Sequence, residues 1–418
     1  MSINRKALFG AAAAVAAVGL AFGIAPAANA NPAPGTNPII DGFGSDTTQD
    51  VLNGLASVIK DGSGNAIIAS YDATSAGTSV TPGEVAPTVT VPVANGSGQG
   101  KTVLAAAVNG TSVSLTNFGT TLTSSGPLSR DDAEFARSSS GGTWNAAGQY
   151  AYLPFGVDAV TYATAPSTAV PNGIPLGTVV GQDTDGDGTP DLTLKNIYGT
   201  AGSGVITLEN ASNVAYTVGA QGSGANIIPF IPQAGSGTRQ FWAQATLGSS
   251  SATFPSRVSD TYGSTSVQEH DGSVLTSVTN AIVPFSVAQW IAQGRASTLS
   301  TNYGVTVTDR RHGAVLGNVG AVAPINALTG NLNPSFPINR AVFNVVEYNA
   351  ITSGTAVYNS NLDGVFNGSS AKVLTAKRPG STTVSVINDF GFGTIPAAGF
   401  TPLDGKLYVA GTVYRATA

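Results

Sequence analysis

Short apolar runs alternate along the chain with segments whose apolar residues recur at helical spacing. The runs at 66–71, 157–163 and 341–348 have the length and residue types of strands. Apolar residues within 51–59 recur every three or four positions, which is typical of a helix with one buried face. Such alternation favours a sheet covered by helices. The sequence therefore predicts an α/β fold.

The composition excludes several kinds of protein. There is no cysteine, which excludes disulfides, thiolate catalysis, cysteine metal sites and a lipidated cysteine anchor. The net charge is −5 and no Lys/Arg run occurs, so we expect no nucleic-acid partner. Only 10% of the residues are charged and 52 are glycine, but 42% hydrophobic content is enough for a sizeable core.

The first thirty residues have the pattern of a secretory signal. Arg5 and Lys6 precede an almost purely apolar run at 7–25, and Ala28-Asn29-Ala30 forms a small-x-small cleavage site. An uncleaved membrane anchor is the alternative. We predict a signal peptide at 1–30 and a secreted mature protein without a lipid anchor.

Three turns share one design, in which a Gly/Ser/Thr segment leads directly into a helical stretch. They lie at 42–48, 95–102 and 235–239. Glycine lets the backbone approach a ligand, and the free N–H groups at a helix start attract anions. Each Ser or Thr could instead be an ordinary helix N-cap. Three such turns in one chain favour an anion site.

The second turn also imitates a nucleotide-binding P-loop. It ends in Gly100-Lys101-Thr102, but Asn95 stands where that motif requires its first glycine. We therefore do not expect nucleotide hydrolysis.

The same turns resemble a known family, the phosphate-binding proteins of ABC importers. The segment 235–239, followed by Phe241-Trp242, is similar to that family's Gly-Ser-Gly-Thr-Arg helix signature. The segments 42–48, 95–101 and 135–140 resemble its other three ligand loops in order. The chain most resembles the actinobacterial secreted branch of these proteins.

This resemblance implies a two-lobed periplasmic-binding-protein fold of type II, whose lobes are joined by two hinge strands. We predict lobe I at 31–164 and 336–418, and lobe II at 165–335. It further implies a monomeric, non-enzymatic protein that holds a small oxoanion, phosphate above all, between the lobes. An ABC permease is the expected partner, and no cofactor is required.

The resemblance transfers to a specific set of ligand-binding positions. These are Ser45, Asp46, Thr47, Ser97, Arg137, Ser139, Ser236, Gly237 and Thr238. Two family residues are missing, since Pro232 stands at the arginine position and Ser139 at the acidic position. Arg137 could replace the cation, or be a surface ion-pair residue. Asp46 could accept the proton of hydrogen phosphate, or be a helix N-cap.

An acidic loop at 183–191 has the spacing of a calcium site. Its carboxylates occupy positions 1, 3, 5 and 9 around a glycine at position 6, as in thrombospondin type 3 repeats, which it resembles. The bidentate glutamate of an EF-hand is absent, because Leu194 stands there. A structural calcium ion and a solvated acidic turn both remain open. The candidate ligands are Asp183, Asp185, Asp187 and Asp191.

Histidine chemistry has little support in this sequence. His270 and His312 are the only histidines, and a zinc centre needs three or four protein ligands. We expect Glu269-His270-Asp271 to be a loop near the cleft and Arg310-Arg311-His312 to be solvated surface. No convincing nucleophile elbow occurs. We therefore predict a solute-binding protein, with an interaction protein that has lost the ligand as the alternative.

Overall fold

The computed structural model describes residues 31, 38–73, 77–82, 89–117 and 119–417. The predicted signal peptide at 1–30 lies outside the described residues. Among these residues, no helix has both the length and the apolarity needed to cross a membrane.

The helices are mostly short. Their bounds are α1 Gln49–Val58, α2 Ser97–Asn109, α3 Leu194–Gly199, α4 Gly237–Leu247, α5 Ser273–Ser277, α6 Val287–Gly294, α7 Ala296–Tyr303, α8 Ser360–Phe366, α9 Lys372–Thr375 and α10 Val386–Asp389. Short 3-10 helices lie at Asp46–Thr48, Arg130–Asp132 and Tyr348–Ile351.

The strands alternate with these helices. Their bounds are β1 Ile40–Gly44, β2 Ile68–Ser70, β3 Ser79–Val80, β4 Val91–Pro92, β5 Ser114–Asn117, β6 Thr120–Thr123, β7 Phe135–Ser138, β8 Thr143–Trp144, β9 Tyr150–Thr164, β10 Ile206–Glu209, β11 Ala215–Val218, β12 Ile228–Pro229, β13 Thr261–Tyr262, β14 Thr265–Ser266, β15 Ala281–Ser286, β16 Val315–Leu316, β17 Asn339–Glu347 and β18 Tyr414–Thr417.

One large mixed sheet organises the molecule, in the order β12-β15-β9-β17-β7-β1-β2. β1 is parallel to β2 and β7, and β12 is parallel to β15. β17 is antiparallel to β7 and β9, and β15 is antiparallel to β9. The predicted α/β fold is confirmed.

The long strand β9 belongs to both halves of this sheet. Its residues 150–159 pair with β17, and its residues 160–163 pair with β15. One hydrophobic core contains Ile40 and Phe135, and another contains Trp242 and Ile282. The strand thus runs continuously from one half of the sheet to the other. The predicted lobe boundaries at 164/165 and 335/336 stay predictions.

Candidate functional site

Three serine hydroxyls from separate loops meet inside the molecule. Ser45 follows β1, Ser97 begins α2, and Ser139 follows β7. The hydroxyl of Ser45 donates to Oγ of Ser139 at 3.1 Å, and the Oγ atoms of Ser97 and Ser139 lie 3.3 Å apart. The backbone N–H of Ser139 donates to Oγ of Ser97 at 3.0 Å. All three side chains are fully buried, so the predicted loops form one polar cluster in an apolar interior.

The start of α4 lies directly against these serines. A Cβ atom added to Gly237 would lie 2.3 Å from Oγ of Ser139 and 2.5 Å from Oγ of Ser97. A Cβ atom added to Gly96 would lie 2.6 Å from the carbonyl oxygen of Gly235. Only glycine permits these approaches, and Gly96 and Gly235 also have positive φ angles of 107° and 87°. The glycines of the predicted turns therefore let residues 96–97 and 139 touch residues 235–237.

Ser236 acts as the N-cap of α4. Its Oγ accepts a hydrogen bond from the backbone N–H of Arg239 at 2.9 Å. Ser236 is fully buried beside Gly237. Ser236 therefore caps α4, which is one of the two roles that the sequence left open for it.

Two threonines and an arginine form the second part of the site. Oγ1 of Thr47 lies 3.5 Å from Oγ1 of Thr238. Nη2 of Arg340 donates to Thr47 at 3.3 Å and to Thr238 at 3.1 Å. Nε and Nη2 of Arg340 also donate to Oδ2 of Asp158, at 3.0 and 2.8 Å. Nη1 of Arg340 is buried and has no hydrogen-bond partner within the described part of the chain.

Glu269 accepts the hydrogens of both threonine hydroxyls. Thr238 donates to its Oε2 at 3.0 Å and Thr47 donates at 3.3 Å. Burial opposes ionisation of this carboxyl, but hydrogen bonds from His270 and Ser236 and nearby positive charge, including that of Arg340, outweigh burial and lower its pKa. Glu269 is therefore a carboxylate at neutral pH, and no described residue bonds its buried Oε1.

The hydrogen bonds of His270 fix its tautomer. The backbone N–H of Ser286 donates to Nδ1 at 3.2 Å, so Nδ1 carries the lone pair and Nε2 carries the proton. Nε2 lies 2.9 Å from Oγ1 of Thr47, to which it donates. Because Nε2 is already protonated, His270 cannot take a proton from Thr47 as a triad histidine would.

The structure does not bring Arg137 to this site as the expected cation. Its five guanidinium hydrogens are donated to the carbonyl oxygens of Ser45, Gly42, Gly44 and Tyr71 and to Oγ of Ser70. Burial lowers its pKa to about 10, which leaves it charged at neutral pH. Arg137 is neither a surface ion-pair residue nor a free donor. Its hydrogen bonds to the carbonyl oxygens of the segment 42–45 stabilise the turn that contains Ser45.

Asp46 also has a different neighbour from the one expected. Nη2 of Arg310 lies 3.0 Å from both of its carboxylate oxygens. The expectation that Arg310 is solvated surface is wrong, because its side chain is only 18% exposed and pairs with a buried carboxylate. Asp46 therefore belongs to an ion pair that joins residues assigned to different predicted lobes.

Sequence reasoning missed Arg340 and assigned Glu269 and His270 to a loop without a contact role. The available signal was a basic residue directly before the apolar run at 341–348, because a charge beside a central strand must be paired when buried. Residues 269 and 270 lie in a turn, as expected, but their side chains are 1% and 0% exposed.

The acidic loop lies elsewhere. Carboxylate oxygens of Asp183, Asp185 and Asp187 lie within 4.8 Å of one another. The carboxylate of Asp191 instead accepts hydrogen bonds from Gln182 and Thr184. The four predicted ligands are therefore divided in this structure into a group of three and a separate residue.

Two solved structures are similar to this chain. A possible phosphate binding protein from Planctomyces limnophilus DSM 3776 is 12% identical, with 75% of this chain and 82% of that chain covered and a TM-score of 0.32. PstS from Borrelia burgdorferi is 13% identical, with 86% and 100% covered and a TM-score of 0.36. No family model and no curated protein matches the chain. At these TM-scores the likeness identifies neither a ligand nor an activity.

Proposed function

We propose that this protein is a non-enzymatic solute-binding protein that holds a protonated oxoanion, hydrogen phosphate above all, between its lobes. The observation that carries the proposal is one buried donor and one buried acceptor beside the same two threonines. Nη1 of Arg340 can only donate, and Oε1 of ionised Glu269 can only accept; neither has a partner among the residues described. A ligand that contacts both must offer an acceptor and a hydrogen.

The serine cluster supplies the rest of the anion's surroundings. Ser45, Ser97 and Ser139 are neutral donors held by their turns, and the start of α4 at Gly237 adds backbone N–H groups. Glu269 thereby takes the role expected for Asp46, and Arg340 takes the role expected for Arg137. Sulfate has no hydrogen to offer Glu269 at neutral pH, so this arrangement favours hydrogen phosphate.

The non-enzymatic part of the proposal rests on the same network. The proton on Nε2 of His270 excludes this residue as a base for Thr47. Both threonine hydroxyls donate to Glu269, whose lowered pKa makes it too weak a base to activate them. A buried carboxylate that already accepts two hydrogen bonds is a poor nucleophile. Positioned donors without an activated nucleophile suit binding.

Calorimetry of the chain from residue 31, with phosphate and sulfate between about pH 6 and pH 8, tests the ligand. Phosphate should bind, sulfate should bind at least tenfold more weakly, and Glu269→Gln should narrow this difference because an amide can donate to sulfate. Glu347→Gln is the matched control, since Glu347 pairs with Arg130 at the far end of β17. If no oxoanion binds, the alternative of a secreted interaction protein replaces this proposal.

We extend the proposal to the compartment, in which the mature protein is secreted and delivers the anion to an ABC permease. The signal-like pattern at 1–30 supports secretion, and the resemblance of the four turns to importer proteins supports the partner. N-terminal sequencing of protein from culture fluid should begin at Asn31. An intact Met1 in a membrane-retained product would refute secretion.

A further inference from the structure

A cavity of about 180 Å³ lies beside the candidate anion site, between the lobes. It shares Ser139 and Arg340 with that site. A water molecule occupies roughly 30 Å³ of liquid, so the cavity is large enough for a group of several heavy atoms. Its outer rim includes Gly141, Ser250 and Asp404, which are exposed to solvent. The cavity is therefore a chamber that reaches the surface and shares two wall residues with the anion site.

The walls of this chamber are chemically mixed. Trp144, Phe241 and Phe343 present aromatic surface, whereas Gln240 and Gln244 present amides. The guanidinium carbon of Arg340 lies 5.4 Å from the ring centroid of Phe241, which places the arginine in the wall. Aromatic surface does not stabilise a hydrated inorganic ion, because the hydrophobic effect requires apolar groups on the ligand. Small ligand sites of mixed polarity typically hold organic groups.

The unpartnered donor of Arg340 connects the chamber to the anion. The residue is 3% exposed, and its Nη1 has no partner among the described residues, although Nε and Nη2 are fully used. A buried guanidinium N–H without an acceptor is costly unless a ligand supplies one. A phosphoryl oxygen next to Arg340 would satisfy it and leave the fourth substituent on phosphorus facing the chamber.

We propose that the physiological ligand is a monosubstituted phosphoryl compound, an organic phosphate ester or a phosphonate, whose small organic group occupies the chamber lined by Trp144, Phe241 and Phe343. This inference rests on the proposed oxoanion site and specifies its substrate class. The monoprotonated PO₃H group occupies the Ser45/Ser97/Ser139 cluster, contacts Arg340 and donates its hydrogen to Oε1 of Glu269. The substituent contacts the aromatic rings and the amides of Gln240 and Gln244.

Calorimetry at about pH 6, where roughly half of a phosphomonoester keeps its second proton, compares inorganic phosphate with glycerol 3-phosphate, phenyl phosphate and methylphosphonate. At least one substituted compound should bind tenfold or more tightly than phosphate. Comparing the two esters with the phosphonate shows whether the protein prefers a phosphate ester or a phosphonate.

Two variants locate the substituent. Ala341→Leu fills the chamber from its inner wall. Ser250→Trp fills it from the rim, where the side chain is exposed and a larger residue is easier to accommodate. Either should remove the preference for the substituted compound while inorganic phosphate binds as before. Thr298→Trp, at an exposed position on α7, is the matched control.

The outcomes separate the two proposals. Phosphate binding with every substituted compound weaker overturns this inference and leaves the oxoanion site standing. A preference that survives in both chamber variants also overturns it. Binding of none of the four compounds overturns the oxoanion site itself.

Discussion

Replacing Arg340 and Arg137 separately by lysine tests which of the two arginines donates a hydrogen bond to the bound anion. Arg340 has one buried N–H without a partner among the described residues, whereas all the guanidinium donors of Arg137 bond protein oxygens. Arg340→Lys keeps a positive charge near Asp158 but loses the Nη1 donor. The loss of one charge-assisted hydrogen bond costs about 1.5–3 kcal/mol, or roughly ten- to a hundredfold in phosphate affinity.

Arg137→Lys should behave in the opposite way. A lysine ammonium has three donors where the guanidinium uses five, so at least two buried acceptors lose a charged partner. We expect the free energy of unfolding to fall by about 3–6 kcal/mol. Phosphate affinity of the molecules that remain folded should change little.

Calorimetry measures the affinities, and urea denaturation measures the free energies of unfolding. Wild-type affinity in Arg340→Lys would remove Arg340 from the ligand site. Weak phosphate binding by Arg137→Lys at unchanged stability would restore Arg137 as the cation. The two lysine variants are matched controls for each other, since each conserves charge.

The remaining predictions concern the lobe contact, the pH dependence and the acidic loop. Arg310→Met should weaken phosphate binding at least tenfold by calorimetry, because the ion pair with Asp46 between the two predicted lobes is lost. Arg311→Met should not, because the partner of Arg311 is exposed. Burial raises the pKa of Asp50 to about 7, so its ionisation opposes folding. The free energy of unfolding should therefore fall by on the order of 4 kcal/mol between about pH 4 and 7 in urea titrations, and Asp50→Asn should remove this contribution. If the acidic loop binds calcium, chelation should lower the melting temperature, and the double change Asp185→Ala, Asp187→Ala should abolish that sensitivity; identical curves would favour the solvated turn.

The hydroxyl and glycine turns could be predicted from the sequence because their determinants are local. A glycine with positive φ followed by a helix N-cap is a short-range pattern, and Gly96, Gly235 and Ser236 adopt the conformations that it requires. The alternation of strands and helices is equally local, and it gave the α/β class. The meeting of these turns in space was predicted only from their resemblance to the ligand loops of phosphate-binding proteins.

The charged residues could not be assigned because their partners are distant in sequence. Arg340 is 182 residues from Asp158 and 293 from Thr47, and Arg310 is 264 residues from Asp46. Sequence proximity to Ser139 favoured Arg137 as the cation, but β7 ends at Ser138, so Ser139 belongs to the following turn while Arg137 stays within the sheet. The Arg137 side chain bonds the carbonyls of β1 and of the segment after β2, which the sequence does not place beside it.

The balance of charge explains why a proton matters for this ligand. Arg340 is bonded to Asp158 and contacts the same threonines as ionised Glu269, so these three groups together carry one negative charge. A fully ionised anion such as sulfate placed beside Glu269 would be repelled, since like charges in a buried site disfavour each other strongly. A ligand that donates a hydrogen to Oε1 turns this repulsion into a hydrogen bond. In the proposed complex, neutral serine hydroxyls and backbone N–H groups would bind the remaining oxygens, and the excess negative charge of the site would act as a filter against fully ionised anions.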